Sequence, residues 1–248
     1  MSDAHCFLAV EGERVLCREG DDTLRHSPCS TFKIVLALMG FDSGVLQNTR
    51  QPVWNFDESY RTLLGAVLEN WLQPHDPTLW MKHSAVWYSQ ALTQKLGAEK
   101  FAGYVTALNY GNCDISGDAG KQNGLTHCWL SSSLTIAARE QIAFLQQLCA
   151  GHLPFAEDAI HLTKTLLADQ VLPSGWQLYG KTGSGNLRDA QGVRLPDRQI
   201  GWFVGWVEKA DRRIFFANFI RDNEPQPLFG GPRSQELALK KLKKLLRN

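Results

Sequence analysis

The chain has 248 residues, of which 44% are hydrophobic and 21% charged, and its formal net charge is +1. That balance describes an ordinary globular protein with enough apolar material for a packed core. It supplies no basic field for nucleic acid and no apolar run of the length a bilayer span needs, so neither nucleic acid nor membrane is an expected partner.

In chain order, Met1-Ser2-Asp3-Ala4-His5 lacks the basic segment and apolar run of a secretory signal. Two origins fit it: a protein that stays inside the cell, or a mature form carrying a start Met. Residues 6–18 read as a β-hairpin. Folding Cys6–Val10 onto Glu13–Cys17 around Glu11-Gly12 sets Cys6 opposite Cys17, but a one-residue change in the turn separates them, so a disulfide stays open. The six cysteines (Cys6, Cys17, Cys29, Cys113, Cys128, Cys149) form no CxxC pair, and the seven histidines make no HxxEH or HxH pattern, so no metal is expected.

From Thr31 to about Gly151 the signals are mainly helical. Thr31–Phe41 is an apolar run, Ser84–Leu96 ends at Gly97, and Ala137–Cys149 spaces Gln141, Phe144, Leu145 and Leu148 on one face before Gly151. Strand signals follow. Gln199–Glu208 is apolar on both faces, which predicts cover on both sides, and Arg213–Arg221 follows as its hairpin partner. Glu236–Leu246 is a basic amphipathic helix whose Leu stripe is expected to pack on the sheet. The fold class is therefore α/β (α+β): an antiparallel β-sheet flanked by helices, with an all-helical lobe inserted. As one catalytic domain over 1–248, the sheet lobe would take 1–29 and 152–248 and the helical lobe 30–151.

Gly175–Thr182 satisfies the phosphate-loop pattern GxxxxGK[ST]. That pattern works when a small, flexible loop after a strand wraps phosphate in backbone N–H groups and opens a helix. Here Trp, Gln, Leu and Tyr fill the variable positions, a turn at Leu172-Pro173-Ser174-Gly175 precedes them, and Thr182-Gly183-Ser184-Gly185-Asn186 is a poor helix start. A strand is the better reading.

Ser30-Thr31-Phe32-Lys33 is an S-x-x-K. Residues three apart share a helix face, so the amine reaches the hydroxyl, and the start of a helix favours developing oxyanion charge. Alone the motif is weak, since composition gives on the order of one match in a chain of this length. Ser30 also fits a plain N-cap. Lys181-Thr182-Gly183 is rarer: on a strand edge it offers an ammonium and a hydroxyl to an anionic substrate, and its Gly admits a close backbone. It also fits an exposed strand end. In this order, the two motifs together point to penicillin-recognising serine enzymes.

Within that group the chain resembles the class D (oxacillinase-type) serine β-lactamases over nearly its whole length. Ser27-Pro28-Cys29-Ser30-Thr31-Phe32-Lys33-Ile34 is similar to their nucleophile segment, with Cys29 where Ala is usual. Ser84-Ala85-Val86 resembles their S-x-V, Tyr110-Gly111-Asn112 their Y-G-N, and Lys181-Thr182-Gly183 their K-T-G. Trp129-Leu130 and the later Gln141-Ile142-Ala143-Phe144-Leu145 are similar too. Singly, Ser84 fits an N-cap, Tyr110-Gly111-Asn112 a turn and Trp129 a core residue; the ordered set argues for the family.

The resemblance implies a Ser30 acyl-enzyme and, as general base, Lys33 carboxylated to N6-carboxylysine by carbon dioxide or bicarbonate, with no other cofactor. Apolar neighbours such as Phe32, Val86 and Trp129 would depress the Lys33 pKa, and the Trp129 indole would hold the anion. Ser84 would relay a proton to the leaving β-lactam nitrogen, and Val86 and Leu130 would restrict water. The backbone N–H groups of Ser30 and Ser184 would form the oxyanion hole. Tyr110, Asn112, Lys181, Thr182 and Gly183 would line the substrate site, and Arg233, equally a plain surface Arg, would bind the substrate carboxylate. The expected partner is a small-molecule β-lactam, the expected compartment the periplasm, and the oligomeric state stays open between monomer and dimer. A β-lactam sensor domain that is acylated without turnover is the main alternative, though such domains follow membrane helices. A D,D-peptidase would carry Asn at Val86, and a class A enzyme would need an E-x-x-L-N segment that this chain lacks.

Overall fold

The structure is a computed structural model that describes residues 4–64, 67–173, 175–189 and 193–247. Met1–Asp3 and Ser174, discussed above, lie outside the described residues. Strands β1 (Ala4–Glu11) and β2 (Arg14–Glu19) open the chain. A helical stretch follows: α1 (Lys33–Asp42), α2 (Ser59–Leu64), α3 (Pro77–His83), α4 (Val86–Leu96), α5 (Ala98–Ala107), α6 (Gly124–His127), α7 (Ala138–Ala150) and α8 (Glu157–Leu167). It thus continues past residue 151 to Leu167. The chain then returns to the sheet as β3 (Ala168–Val171), β4 (Gln177–Arg188), β5 (Arg194–Lys209) and β6 (Arg212–Arg221), and ends in α9 (Gly230–Leu245).

The strands form one sheet in the order β2-β1-β6-β5-β4-β3, antiparallel throughout. First and last strands meet in its middle because β1 pairs with β6. Period-two alternation sorts its side chains between two cores. Leu8, Val10, Trp202, Val204 and Trp206 face the helical lobe. Phe7, Ala9, Phe203 and Val207 face α9, which buries Ala238 and Leu242 against them. Cover on both faces explains why β5 is apolar at successive positions from Ile200 to Val207, as expected. α9 starts at Gly230, six residues earlier than its hydrophobic stripe suggests. There the backbones touch: a Cβ on Gly201 would lie 2.1 Å from Gly230 O, so neither glycine tolerates a side chain. No described helix is long and apolar enough to cross a membrane.

One expectation is corrected and one is met. The first hairpin turns at Gly12-Glu13, with Glu11 opposite Arg14, and a bulge between Ala9 and Val10 shifts the register. Cys17 therefore faces Ala9, on the sheet face opposite to Cys6, and both thiols are free. The GxxxxGK[ST] run becomes strand β4 from Gln177 onward, which removes the phosphate-loop alternative that its context already opposed.

All six cysteines should therefore alkylate in protein denatured without reductant, as read by intact mass. A count of four would contradict the bulged register.

Candidate active site

The site grows from the turn that precedes α1. Residues Cys29–Phe32 form one 3-10 turn, closed by Thr31 N and Oγ1 donating to Pro28 O at 3.1 and 2.7 Å. Cys29 enters it with a left-handed φ of 51°, a conformation side chains rarely adopt, and this bend aims the chain into the lobe. α1 then runs through the core with every residue from Lys33 to Phe41 buried. Ser30 precedes the helix and Lys33 is its first residue, so the three-residue spacing brings Lys33 Nζ to 3.1 Å from Ser30 Oγ.

Lys33 is wholly buried and follows Phe32, whose core cluster includes Trp129. Burial drives its pKa well below the ordinary lysine value, and the nearby Lys181 charge pushes in the same direction. Phe32 stacks on Trp129 with centroids 5.5 Å apart and packs against Tyr110 at 5.3 Å. The Trp129 indole Nε1–H is buried with no hydrogen-bond partner among the described residues. Such an orphan donor is rare, and it marks a position built for an acceptor. Val86, at the start of α4, and Leu130 are half-buried against this cluster.

Ser84 ends α3 as its left-handed cap, φ 56°, and is not an N-cap of the next helix. Its Oγ accepts from Lys181 Nζ at 3.0 Å. Lys181 also donates to Thr182 O at 3.0 Å, and burial pushes its pKa down to about 7. These contacts join the α3–α4 corner to β4. The strand in turn abuts the nucleophile turn: a Cβ on Gly183 would lie 2.9 Å from Pro28 O and 3.2 Å from Thr31 N. Only glycine lets β4 approach this closely, and Ser184 follows it directly. The Ser184 hydroxyl accepts from Gly231 N at 2.8 Å, so its side chain anchors α9. Its backbone N–H remains the expected oxyanion donor.

Three residues expected to contact substrate have partners within the protein. Tyr110 is buried, and its hydroxyl donates to Gln141 Oε1 at 3.3 Å while Gln141 Nε2 donates to Thr31 Oγ1 at 2.9 Å. It braces the nucleophile turn from behind. Asn112 donates to Ser133 O at 2.9 Å and accepts from Thr135 N at 2.9 Å and Asp114 N at 3.2 Å, so its amide organises a loop. Arg233 donates through Nη1 and Nη2 to the two Asp222 oxygens at 2.9 and 2.7 Å and through Nε to Leu228 O at 3.1 Å. Its fork already grips a carboxylate, that of the protein itself.

Ser27 was missed as a contributor. Its Oγ donates to Trp129 O at 2.8 Å and its carbonyl accepts from Trp202 Nε1 at 3.0 Å, tying the nucleophile segment to the indole's backbone and to β5. A serine before a proline carries no signal for contacts so distant in sequence.

Residues 23–243 match the family described as the penicillin binding protein transpeptidase domain. Over 240 residues the chain is 42% identical to Beta-lactamase OXA-9 of Klebsiella pneumoniae, covering 97% of this chain and 86% of that one. The crystal structure of the OXA-427 class D β-lactamase superposes with a TM-score of 0.87 at 40% identity, covering 97% and 99% of the two chains. The C-terminal domain of the Bacillus licheniformis BlaR penicillin-receptor superposes with a TM-score of 0.81 at 26% identity, covering 97% and 90%. These two enzymes lie nearer than the receptor, and with the K. pneumoniae relative matched over 86% of its length, the chain belongs to the class D serine β-lactamases, a branch of the penicillin-binding transpeptidase family.

Proposed function

We propose that this protein hydrolyses the β-lactam ring of penicillin-type antibiotics through an acyl-enzyme on Ser30, with Lys33, carboxylated on Nζ, as general base. One observation carries the reading: a wholly buried amine 3.1 Å from the candidate nucleophile. An ordinary lysine is protonated at neutral pH and cannot take a proton, whereas burial favours the neutral amine here. When Lys33 Nζ has added carbon dioxide and released a proton, the resulting carbamate supplies an anionic base. The residues present fit that group. The Trp129 Nε1–H is a buried donor without an acceptor, as an anion in an apolar pocket requires, and Val86 and Leu130 limit water.

Acylation removes the proton from Ser30 Oγ, which bonds to the lactam carbonyl carbon as the backbone N–H groups of Ser30 and Ser184 stabilise the oxyanion. The carbon–nitrogen bond then breaks, and Ser84, held by Lys181, delivers the proton that the ring nitrogen takes up. Water hydrolyses the Ser30 ester and restores the hydroxyl. With Arg233 engaged by Asp222, binding of the substrate carboxylate falls to Lys181 and Thr182. The same reading assigns the enzyme to the periplasm, between a β-lactam's entry and its targets.

Mixed with excess chromogenic cephalosporin, the protein should turn over many times, faster with added bicarbonate, and Lys33→Ala should abolish turnover. One stoichiometric burst followed by a trapped acyl-enzyme would favour a sensor, and no reaction would remove both readings.

The pH profile of kcat/KM reports the free enzyme. Lys33 must be neutral to add carbon dioxide, so activity falls on the acid side as the amine gains a proton and the carbamate is lost. Lys181 must be charged, so activity falls as pH rises through about 7. Lys181→Arg, which stays charged, should remove the basic limb. An unchanged basic limb in that variant would contradict the assignment to Lys181.

A further inference from the structure

Three successive backbone carbonyls beside the indole are each clamped by a side chain from elsewhere in the chain. Trp129–Ser131 lie outside helices and strands, so their carbonyls have no ladder to join. Trp129 O accepts from Ser27 Oγ at 2.8 Å, Leu130 O from Arg194 Nη2 at 3.1 Å, and Ser131 O from Arg188 Nε. Arg188 is itself fixed: its Nη2 meets Asp118 Oδ1 at 2.5 Å, and Asp118 also accepts from Ser132 Oγ at 2.9 Å and Asn123 Nδ2 at 3.2 Å.

The placement of these arginines is costly without a purpose. Arg188 and Arg194 face each other in register across β4 and β5, and like charges at directly paired positions destabilise a sheet. Here each guanidinium reaches across to the same turn, where a carbonyl acceptor, and for Arg188 a carboxylate, offsets the repulsion. The turn so pinned is the one that carries Trp129 and Leu130. Its Ser131 has a left-handed φ of 53°, a conformation that needs external support.

We infer that Arg188 and Arg194 are positioning residues for the general base: by pinning the Ser131 and Leu130 carbonyls, they hold the Trp129 indole where it retains a carboxylated Lys33. The inference rests on the carbamate reading above. It also gives the β4–β5 hairpin a role distinct from contact with substrate, since the two side chains act through Trp129.

The test is a bicarbonate titration of the whole protein with 13C-labelled bicarbonate, reading the carbamate carbon by NMR, alongside kcat with and without bicarbonate. By analogy with outer-shell partners of metal ligands, whose loss costs about tenfold or more in affinity, Arg188→Ala should need about tenfold more bicarbonate for half-loading. Its kcat should recover when bicarbonate is saturating, which a merely misfolded variant would not do. Arg194→Ala, at an exposed side chain, should shift the titration in the same direction and serves if Arg188→Ala does not fold. Arg212→Ala, which removes an exposed partner of Glu11 elsewhere on the sheet, should leave it unchanged. Arginine variants that load like the parent would overturn the inference while leaving the carbamate reading intact. A parent protein that shows no carbamate carbon at any bicarbonate concentration would remove that reading and this inference with it.

Discussion

An ammonium group buried among aromatic rings needs an anion beside it or must give up its proton, and Lys33 has no carboxylate partner among the described residues. It is wholly buried at the start of a helix whose next eight residues are all buried, and a second lysine, Lys181, is the charge that acts on it most. Each unit by which a lysine pKa falls costs about 1.4 kcal/mol when the group is held in the wrong protonation state. The pocket thereby converts hydrophobic burial into basicity, which is what a serine hydroxyl needs to become a nucleophile. The chemistry of the site follows from desolvation, and the hydrogen bonds around it decide where the freed basicity is directed.

The remainder of the fold maintains that condition. α1 carries Lys33 inward because the helix is apolar on every side, and the 3-10 turn before it keeps Ser30 at the surface of the same cluster. β4 closes over the turn through Gly183, and Lys181 links β4 to Ser84. The Tyr110–Gln141–Thr31 chain supports the turn from below, and Ser27 connects it to the Trp129 backbone. These contacts span the helical lobe and both ends of the sheet, so the base exists only when the lobes are assembled.

The sequence made legible those features that short-range geometry enforces. S-x-x-K puts an amine beside a hydroxyl because helix periodicity does so, and an apolar run on both faces of Gln199–Glu208 requires cover on both sides. The family resemblance added Ser84, Trp129 and Lys181, and the structure brings Ser84 to Lys181 and Trp129 to Phe32. Side chains whose partners are remote in sequence were not legible. Nothing in Gly230-Gly231-Pro232-Arg233 reveals that Asp222 pairs with the guanidinium, and nothing in Tyr110-Gly111-Asn112 reveals that the Tyr110 hydroxyl is buried against Gln141 while the exposed Asn112 amide organises its loop. The first hairpin misled because its turn lies one residue later than expected and a bulge, which no residue pattern announced, moved Cys17 to the other face of the sheet.

The central claim is that Lys33 carries no charge in the folded enzyme before it meets carbon dioxide. The 15N chemical shift of Nζ in lysine-labelled protein, assigned with Lys33→Ala and followed over pH under carbon-dioxide-free buffer, reports that charge directly. A neutral-amine shift at pH 7, with protonation appearing only on acidification, is the predicted result. An ammonium shift at pH 7 that persists until about pH 10, the range of an unperturbed lysine, would contradict the account.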